Sequence, residues 1–273
     1  MSYPKKHHYI PACYLKGFTN QGKRTSLFWA FPKNKPGFKY GTNPNDACVS
    51  NNYYKLEENI HPFLIEEWYG NTVETRIGEF LETIDTSKEI NSEDEGLIWL
   101  LSSLFLRNSQ HRNNIETPLR QERKIVESMK KDLNQRNVTL GMSVRDYIID
   151  DIIEYELKQT KIASYYLPQF NYSLIKAPNK INTITSDSPF ILSHNRLQTF
   201  GLATPGSMIL APLNKNTFLF GCKEMKLSPI HNATDKTIAD LNTMIMLSSN
   251  EKCFSNNDHF FILDAQDNIA RYP

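Results

Sequence analysis

Cysteine is scarce in this chain and is not arranged for metal binding or redox chemistry. Four cysteines occur, far apart in the sequence: Cys13, Cys48, Cys222 and Cys253. Zinc ribbons and thioredoxin-type sites need Cys-x-x-Cys pairs, and the sequence has none. Scattered cysteines without a secretory signal favour buried thiols in a reducing cytosol. The sequence therefore predicts a cytoplasmic protein.

Excess charge and long apolar runs are also missing. The formal net charge is +1 at pH 7, so no global field directs the protein to nucleic acid or membranes, although local basic patches can still occur. The longest apolar run, Leu97 to Leu106, is interrupted by Ser102 and Ser103 and is too short to span a bilayer. We therefore expect a soluble protein without a membrane partner. Gly-rich phosphate loops, nucleophile elbows, H-E-x-x-H motifs and EF-hand loops do not occur in the sequence either.

The sequence does have the composition of a globular domain, with 40% hydrophobic and 22% charged residues. Strands are predicted early, at Thr25–Phe31 and Asn52–Leu56. Four helices are predicted in the middle of the chain: about 61–85, Ser92 to Asn113, Pro118 to Gln135, and Ser143 to Leu157. The second of them begins with a Ser-Glu-Asp-Glu capping box, which makes Ser92 the predicted N-cap.

After Pro168 the pattern changes to short β-rich runs separated by turn residues. The predicted strands are Phe170–Lys176, Ile181–Thr185, Phe190–Ser193, Met208–Leu213 and Thr217–Gly221. They are followed by a helix at Ala233–Met246 and by a closing hairpin of Lys252–Ser255 with His259–Leu263. Segregated helices and strands indicate the α+β class. We expect one domain over 1–273, in which a mixed or antiparallel sheet packs against a central bundle of long helices. The helical block covers about 60–165, and the β-rich part covers about 168–265.

Two adjacent histidines, His7 and His8, precede every long apolar element. Either could shuttle a proton near neutral pH or bind a metal ion. Adjacent residues of an extended segment point to opposite sides, so one of the two is expected to reach any given site. The alternative is a polar N-terminal arm without a chemical role. The residues that follow would anchor the segment and so favour a functional role for a histidine: Pro11, Tyr14, Leu15 and Phe18.

Arg107 ends the most apolar predicted helix. An arginine that emerges from a buried helix needs a partner, and its planar fork suits a phosphate or a carboxylate. The Arg107-x-x-x-His111 spacing is similar to, but shorter than, the Arg…His pair of helical ribonucleases of the HEPN type. The alternative for His111 and Arg112 is that they are cations complementing the dipole at a helix C-terminus.

Other polar residues have both a structural and a chemical interpretation. Asp187 either builds an Asx-type turn before Pro189 or acts as a metal ligand, a base or an orienter of a histidine. Glu66, Glu67 and Glu74 lie on the first long predicted helix. Glu67 and Glu74 are seven residues apart and share one helix face, which is usually a solvated face. Asn242 lies in the late helix, where we expect it to be half buried and hydrogen-bonded to the core.

Together these landmarks resemble an uncharacterised family, DUF4238. The resemblance rests on His8-x-x-Pro11-x-x-Tyr14-Leu15-x-x-Phe18, Tyr53-Tyr54, Glu67 and Glu74, Arg107, Thr185-Ser186-Asp187-Ser188-Pro189, Ala211-Pro212-Leu213 and Asn242. It extends from about residue 6 to 255. The chain departs from the family pattern after Arg107, where Asn108-Ser109 replaces the usual Thr-Pro. The resemblance implies that the polar motif positions matter, namely His8, Tyr14, Glu74, Arg107, Asp187 and Asn242.

A histidine, a carboxylate pair and an arginine in one cleft would form an acid–base or phosphate-handling site. The leading hypothesis is a phosphate-handling hydrolase, a nuclease-like effector of a bacterial defence or toxin system that acts on nucleic acid or a nucleotide. His8 would be the general acid or base, and Arg107 would hold the phosphate and stabilise its charge. Asp187, with Glu74, would orient His8 or bind a divalent metal ion.

Two other hypotheses use the same polar residues. In the first, they form a sensor module that binds a small ligand or a partner protein without turnover, with Tyr14, Asn242 and His7 as binding residues. The many aromatic residues near 28–54 suit such a surface. In the second, the polar positions are a buried network that fixes the N-terminal arm to the core.

Overall fold

The computed structural model describes residues 6–56, 60–135, 149–178 and 180–273, which form a mixed α+β fold. The strands in these residues are β1 (Lys6–His8), β2 (Phe28–Pro32), β3 (Tyr40–Thr42), β4 (Val49–Asn51), β5 (Asn171–Lys176), β6 (Thr185–Ser186), β7 (Ile191–His194), β8 (Ser207–Asn214), β9 (Thr217–Cys222), β10 (Ile230–Asn232), β11 (Lys252–Ser255), β12 (Phe260–Leu263) and β13 (Ile269–Tyr272). The α-helices in the same residues are α1 (Ala12–Leu15), α2 (Leu64–Trp68), α3 (Glu74–Thr83), α4 (Glu95–Leu106), α5 (Ser109–Gln135), α6 (Ile149–Tyr166) and α7 (Asp235–Ser248).

The strands form several sheets, both mixed and antiparallel. A five-stranded sheet has the order β10-β5-β9-β8-β7, with β10 parallel to β5 and the other neighbours antiparallel. A four-stranded antiparallel sheet has the order β3-β2-β11-β6. Two antiparallel pairs, β1-β4 and β12-β13, complete the set in the described residues. The predicted α+β class with mixed or antiparallel pairing is confirmed.

The helices that precede the five-stranded sheet are closely packed. A π-helical turn at Tyr69–Val73 joins α2 to α3 in one continuous helical segment. Most of α4 is buried, and it packs against α3 and α6. Gly96 permits the approach of α4 to α3, because a Cβ at this position would lie 2.4 Å from the carbonyl oxygen of Arg76. The central bundle of long helices that the sequence predicted is not shown by the described residues.

The boundaries of α4 differ from the prediction. The N-cap is Asp94, whose Oδ1 accepts hydrogen bonds from the backbone N–H groups of Gly96 and Leu97 at 2.8 and 3.2 Å. Ser92 as N-cap was therefore wrong, because an aspartate two residues later is an equally good cap. The helix ends at Leu106 instead of near Asn113, and Pro118 lies inside α5 instead of starting it.

Pairing at the C-terminal end also differs from the prediction. The segments Lys252–Ser255 and Phe260–Leu263 are strands, but they do not form a hairpin with each other. Strand β11 lies between β2 and β6, and β12 pairs with β13. Residues 52–56, predicted as a strand, form a turn and an irregular segment after β4. The predicted helix start at Ser143 lies outside the described residues.

Two buried apolar clusters hold these elements together. The larger one joins the N-terminal anchors Ile10, Tyr14, Leu15 and Phe18 to α3, α4 and the five-stranded sheet. The smaller one surrounds α7 and includes residues of β2, β11 and β12. All four cysteines are buried and free, as expected from their spacing. No helix in the described ranges has the length and apolar character that a membrane crossing requires.

Candidate functional site

Arg107 follows the last residue of α4, and its side chain lies inside the protein. Only 2% of the residue is exposed. Its Nε donates to the hydroxyl of Tyr54 at 2.9 Å, and its Nη2 donates to the carbonyl oxygen of His8 at 2.7 Å. The guanidinium carbon lies 3.8 Å from the centroid of the Tyr69 ring, within cation–π range. Arg107 therefore fastens strand β1 to the end of α4.

The rings of Tyr54 and Tyr69 contact this guanidinium, and three ionisable side chains interact with it electrostatically. We call these residues together the arginine cluster: Arg107, His8, Tyr54, Glu66, Tyr69 and Glu74. Two buried polar atoms of the cluster have no hydrogen-bond partner among the described residues, Nη1 of Arg107 and Oε2 of Glu66. A buried polar group without a partner costs about 1–3 kcal/mol, and more when it is charged. Such groups mark a place where a water, an ion or a ligand completes the bonding.

Burial disfavours the ionised form of the Glu66 carboxyl group. Burial raises the pKa of Glu66 from its ordinary value of 4.5 to about 7; the positive charge of Arg107 opposes this rise, and the negative charge of Glu74 adds to it. A substantial fraction of Glu66 is therefore protonated at neutral pH. In that form the carboxyl group can donate a proton or a hydrogen bond, which an ordinary glutamate cannot do.

His8 is partly buried beside Glu74. Its Nε2 lies 3.1 Å from the carbonyl oxygen of Pro44, which can only accept, so Nε2 carries the proton and Nδ1 has the free lone pair. Burial lowers the pKa of His8 below its ordinary value of 6.5, while the charge of Glu74 opposes this. Glu74 also lies 3.7 Å from Nη2 of Arg24, which is half exposed. His8 is thus a neutral base with a carboxylate neighbour.

His7 points away from His8 and is fully buried. Its Nδ1 accepts a hydrogen bond from the backbone N–H of Tyr54 at 2.9 Å, so this nitrogen carries no proton. The same atom lies 3.8 Å from Oε2 of Glu66. The ring stacks on Tyr54 with centroids 6.4 Å apart and meets Phe63 edge-on. His7 therefore packs strand β1 against Tyr54 of the arginine cluster and against Phe63.

Asp187 is separate from these groups. The residue is 1% exposed, and its two carboxylate oxygens accept hydrogen bonds from the backbone N–H groups of Asn250, Glu251 and Lys252 at 2.9, 2.7 and 3.2 Å. In the described part of the chain no hydrogen bond or ion pair joins it to His8. Asp187 therefore ties the turn before Pro189 to the segment leading into β11 instead of forming the local Asx-type turn expected from the sequence. The local side-chain bond in this turn is made by Ser186, whose Oγ accepts from the backbone N–H of Ser188 at 3.1 Å.

Tyr14 and Asn242 likewise bond to the protein itself. The Tyr14 hydroxyl is buried between Thr185 Oγ1, at 2.7 Å, and the carbonyl oxygen of Pro212, at 2.9 Å. Asn242 accepts from the backbone of Ile184 and donates to the carbonyl oxygens of Asn182 and Phe261. Their polar atoms are used in joining elements, and neither residue is in the arginine cluster.

A metal centre has no ligand set in the described ranges. No group of three or more His, Cys, Asp or Glu side chains there could hold a metal ion. Among the described residues, the two carboxylates expected to bind a divalent ion have other partners: Asp187 accepts from backbone N–H groups, and Glu74 lies beside His8 and Arg24.

The sequence pattern paired Glu67, and not its neighbour Glu66, with Glu74. In a regular α-helix residues seven apart share a face, which pairs Glu67 with Glu74. The π-helical turn at Tyr69–Val73 adds a residue to this interval, so the residue eight positions before Glu74 turns to its face instead. Glu66 is accordingly partly buried near Glu74, whereas Glu67 is exposed. The only available signal was a weak one, the poor helix formers Gly70-Asn71-Thr72 within the turn.

Arg112 was also misjudged as a helix-end cation. It forms a buried bidentate ion pair with Glu156, at 2.9 and 2.6 Å, and its guanidinium lies 3.5 Å from the centroid of the Tyr53 ring. His111 packs near Phe105, and its buried Nε2 has no hydrogen-bond partner among the described residues. The pair Arg107 and His111 therefore does not meet in the arginine cluster.

Comparisons with known proteins give a family assignment. Neither the search of curated proteins nor that of solved structures returned a match. One family model, described as "Protein of unknown function (DUF4238)", matches residues 6–259. The matched range includes every residue of the arginine cluster. Because the match covers nearly the whole chain, the protein belongs to the DUF4238 family.

Proposed function

We propose that the protein is a phosphate-handling hydrolase whose active site is the arginine cluster. The observation that carries the proposal is the buried Nη1 of Arg107, which has no hydrogen-bond partner among the described residues. A guanidinium N–H is a strong donor whose geometry suits a phosphate oxygen. The unpartnered Oε2 of Glu66 supplies a second group for the same ligand, since the two side chains interact electrostatically.

The other cluster residues fit an acid–base hydrolysis. His8, with Nδ1 unprotonated, takes a proton from the attacking water. Glu66 gives its proton to the leaving oxygen as the phosphorus–oxygen bond breaks. The N–H groups on Nη1 of Arg107 stabilise the negative charge on the non-bridging oxygens in the transition state. Glu74 stabilises the imidazolium that forms on His8. Asp187 has no part in these steps, because its oxygens are engaged with the backbone.

The proposal predicts a bell-shaped dependence of kcat/KM on pH. Activity requires His8 without its second proton, so it falls as the pH drops through the lowered pKa of His8. Activity also requires protonated Glu66, so it falls as the pH rises through about 7, the raised pKa of that carboxyl group. The optimum therefore lies on the slightly acidic side of neutrality.

The test is hydrolysis of single-stranded and duplex RNA and DNA by the purified full chain, with and without a divalent metal ion. We expect cleavage by the wild type and a loss of at least about a hundredfold in His8→Gln and Glu66→Gln, as is typical for removal of a general acid or base. Glu67→Gln removes a charge from the neighbouring exposed position and is the matched control. Equal cleavage by all four proteins would refute the proposal. The wider role predicted from the sequence, an effector of a bacterial defence or toxin system, draws no support from this geometry and stays a prediction.

One observation favours the second candidate function, a ligand sensor. Arg107 bonds directly to the backbone of strand β1, so a ligand on its free Nη1 would also change how firmly the N-terminal arm is held. A sensor would gain thermal stability with nucleotides or inorganic phosphate but would leave every phosphoester intact. That result would favour the sensor over the hydrolase.

A further inference from the structure

Positive charge is concentrated at the start of the chain. No Asp or Glu precedes Asp46, whereas eight Lys and Arg residues do. Because the whole chain has a formal net charge of only +1, the remaining residues carry a net negative charge. Such asymmetry is a feature of proteins that bind polyanions through one region.

Part of this charge is displayed together with aromatic rings around the β2–β3 hairpin. We define the basic hairpin surface as the exposed residues Lys23, Arg24, Lys35, Phe38 and Tyr40. Phe38 and Tyr40 are 50% and 37% exposed, and their ring centroids are 6.0 Å apart. The Lys35 ammonium lies 5.7 Å from the Phe38 ring. The neighbouring Lys39 is not included, because its side chain is only partly exposed and its ammonium donates to both the carbonyl oxygen and the carboxylate of Asp258.

This surface is continuous with the arginine cluster. The Leu27 side chain covers Gly41, so the loop that carries Lys23 and Arg24 lies against β3. Arg24 contacts Glu74 of the cluster at 3.7 Å. Tyr40, the first residue of β3, is four residues before Pro44, whose carbonyl oxygen contacts His8. At about 3.3 Å per residue the path from Tyr40 to Pro44 is at most about 13 Å, which a few nucleotides can span.

We propose that the basic hairpin surface binds single-stranded nucleic acid and leads it to the arginine cluster. The inference rests on the proposed function and adds the substrate class. Two exposed rings beside cations are the arrangement on which unpaired bases stack while lysines contact phosphates. A duplex keeps its bases stacked on one another and cannot use the rings. An acidic protein segment could use the charges but would have little use for the pair of rings.

The test is equilibrium binding of a fluorescent 15-nucleotide poly-dT or poly-U to the full chain. Phe38→Ala with Tyr40→Ala should weaken binding by about five- to 150-fold for each base that loses its stacking partner. The same pair should leave binding of inorganic polyphosphate unchanged, because polyphosphate has no bases. Lys23→Glu with Lys35→Glu should reduce the slope of log K against log salt by about 1.4, at about 0.7 per phosphate contact. The matched control is Tyr165→Ala with Lys226→Glu, an exposed ring and an exposed lysine elsewhere, and it should bind like the wild type.

The inference is overturned if the ring variants bind as the wild type does, if the control pair weakens binding equally, or if poly-glutamate or duplex DNA binds as tightly as poly-dT. The His8→Gln variant distinguishes failure of this inference from failure of the proposed function. If His8→Gln binds poly-dT normally and wild type cleaves nothing, the hydrolase proposal fails and the binding surface stands. If the wild type cleaves dinucleotides, and the ring variants cleave and bind long strands as well as the wild type does, the proposed binding surface is refuted and the hydrolase proposal is retained.

Discussion

Replacing Glu66 by glutamine tests the central feature of the site, a carboxyl group kept partly protonated inside the protein. Glutamine has nearly the shape of the protonated form and cannot ionise. In the folded protein the pKa of Glu66 is about 7, against 4.5 for an ordinary glutamate. Below pH 4.5 both the folded and the unfolded chain hold the proton, and the stabilisation from the protonated form is fully present. As the pH rises toward 7 the unfolded chain releases its proton first, so the free energy of unfolding of the wild type falls.

The size of this change in the free energy of unfolding follows from the pKa shift of Glu66. A change in pKa from 4.5 to about 7 corresponds to about 3 kcal/mol, at about 1.4 kcal/mol per unit. Because 21% of the Glu66 side chain is exposed, solvent screening reduces this figure, and we expect about 1–3 kcal/mol. Glu66→Gln should therefore match the wild type at pH 5 or be only slightly more stable. At pH 8.5 it should be more stable by about 1–3 kcal/mol.

The assay is urea unfolding of both proteins at several pH values between 5 and 8.5, with the difference in the free energy of unfolding plotted against pH. Glu67→Gln on the same helical segment is the control and should give a difference that does not change with pH. A flat difference for Glu66→Gln would show that Glu66 ionises as an ordinary exposed carboxylate and would remove it as the general acid. A stabilised variant that has also lost hydrolysis would indicate a residue retained for activity at a cost in stability.

Other predictions separate structural from chemical roles. Asp187→Ala leaves three backbone N–H groups without their acceptor and should lower the free energy of unfolding by about 3 kcal/mol or more in urea titrations; wild-type stability would contradict the structural role. Glu156→Ala leaves the Arg112 cation buried and unpaired, so we expect a loss of about 3–5 kcal/mol by the same measurement, and a loss below about 1 kcal/mol would show that the pair is solvated. Gly96→Ala places a methyl group 2.4 Å from the Arg76 carbonyl oxygen, which should separate α3 from α4 and lower the melting temperature despite the better helix propensity of alanine. An unchanged or higher melting temperature would refute that close approach.

Most strands and helices could be predicted from local pattern, and the errors arose where local pattern does not choose between alternatives. Strand β8, Ser207–Asn214, is nearly as predicted because alternation and flanking turn residues are local signals. The pairing of β11 was wrong because Cys253, Phe254 and Ser255 are buried between β2 and β6, and strand partners are chosen by the core they jointly bury. Asp94 replaced Ser92 as the N-cap because both are good caps, and propensity alone does not choose between them.

The sequence by itself determined the α+β class and the family, and it singled out His8, Glu74 and Arg107 as candidate site residues, because each depends on residue identities and on patterns within short segments. Only the tertiary structure decided where these residues lie and which groups they contact. It brought strand β1 to the end of α4, where Arg107 bonds to the His8 carbonyl oxygen and keeps one N–H without a partner. The π-helical turn brings Glu66, instead of Glu67, to the helix face of Glu74. Asp187 lies outside the arginine cluster, where its carboxylate accepts hydrogen bonds from backbone N–H groups. These outcomes depend on contacts between distant segments, where burial sets both hydrogen-bond partners and pKa values, and no local pattern encodes them.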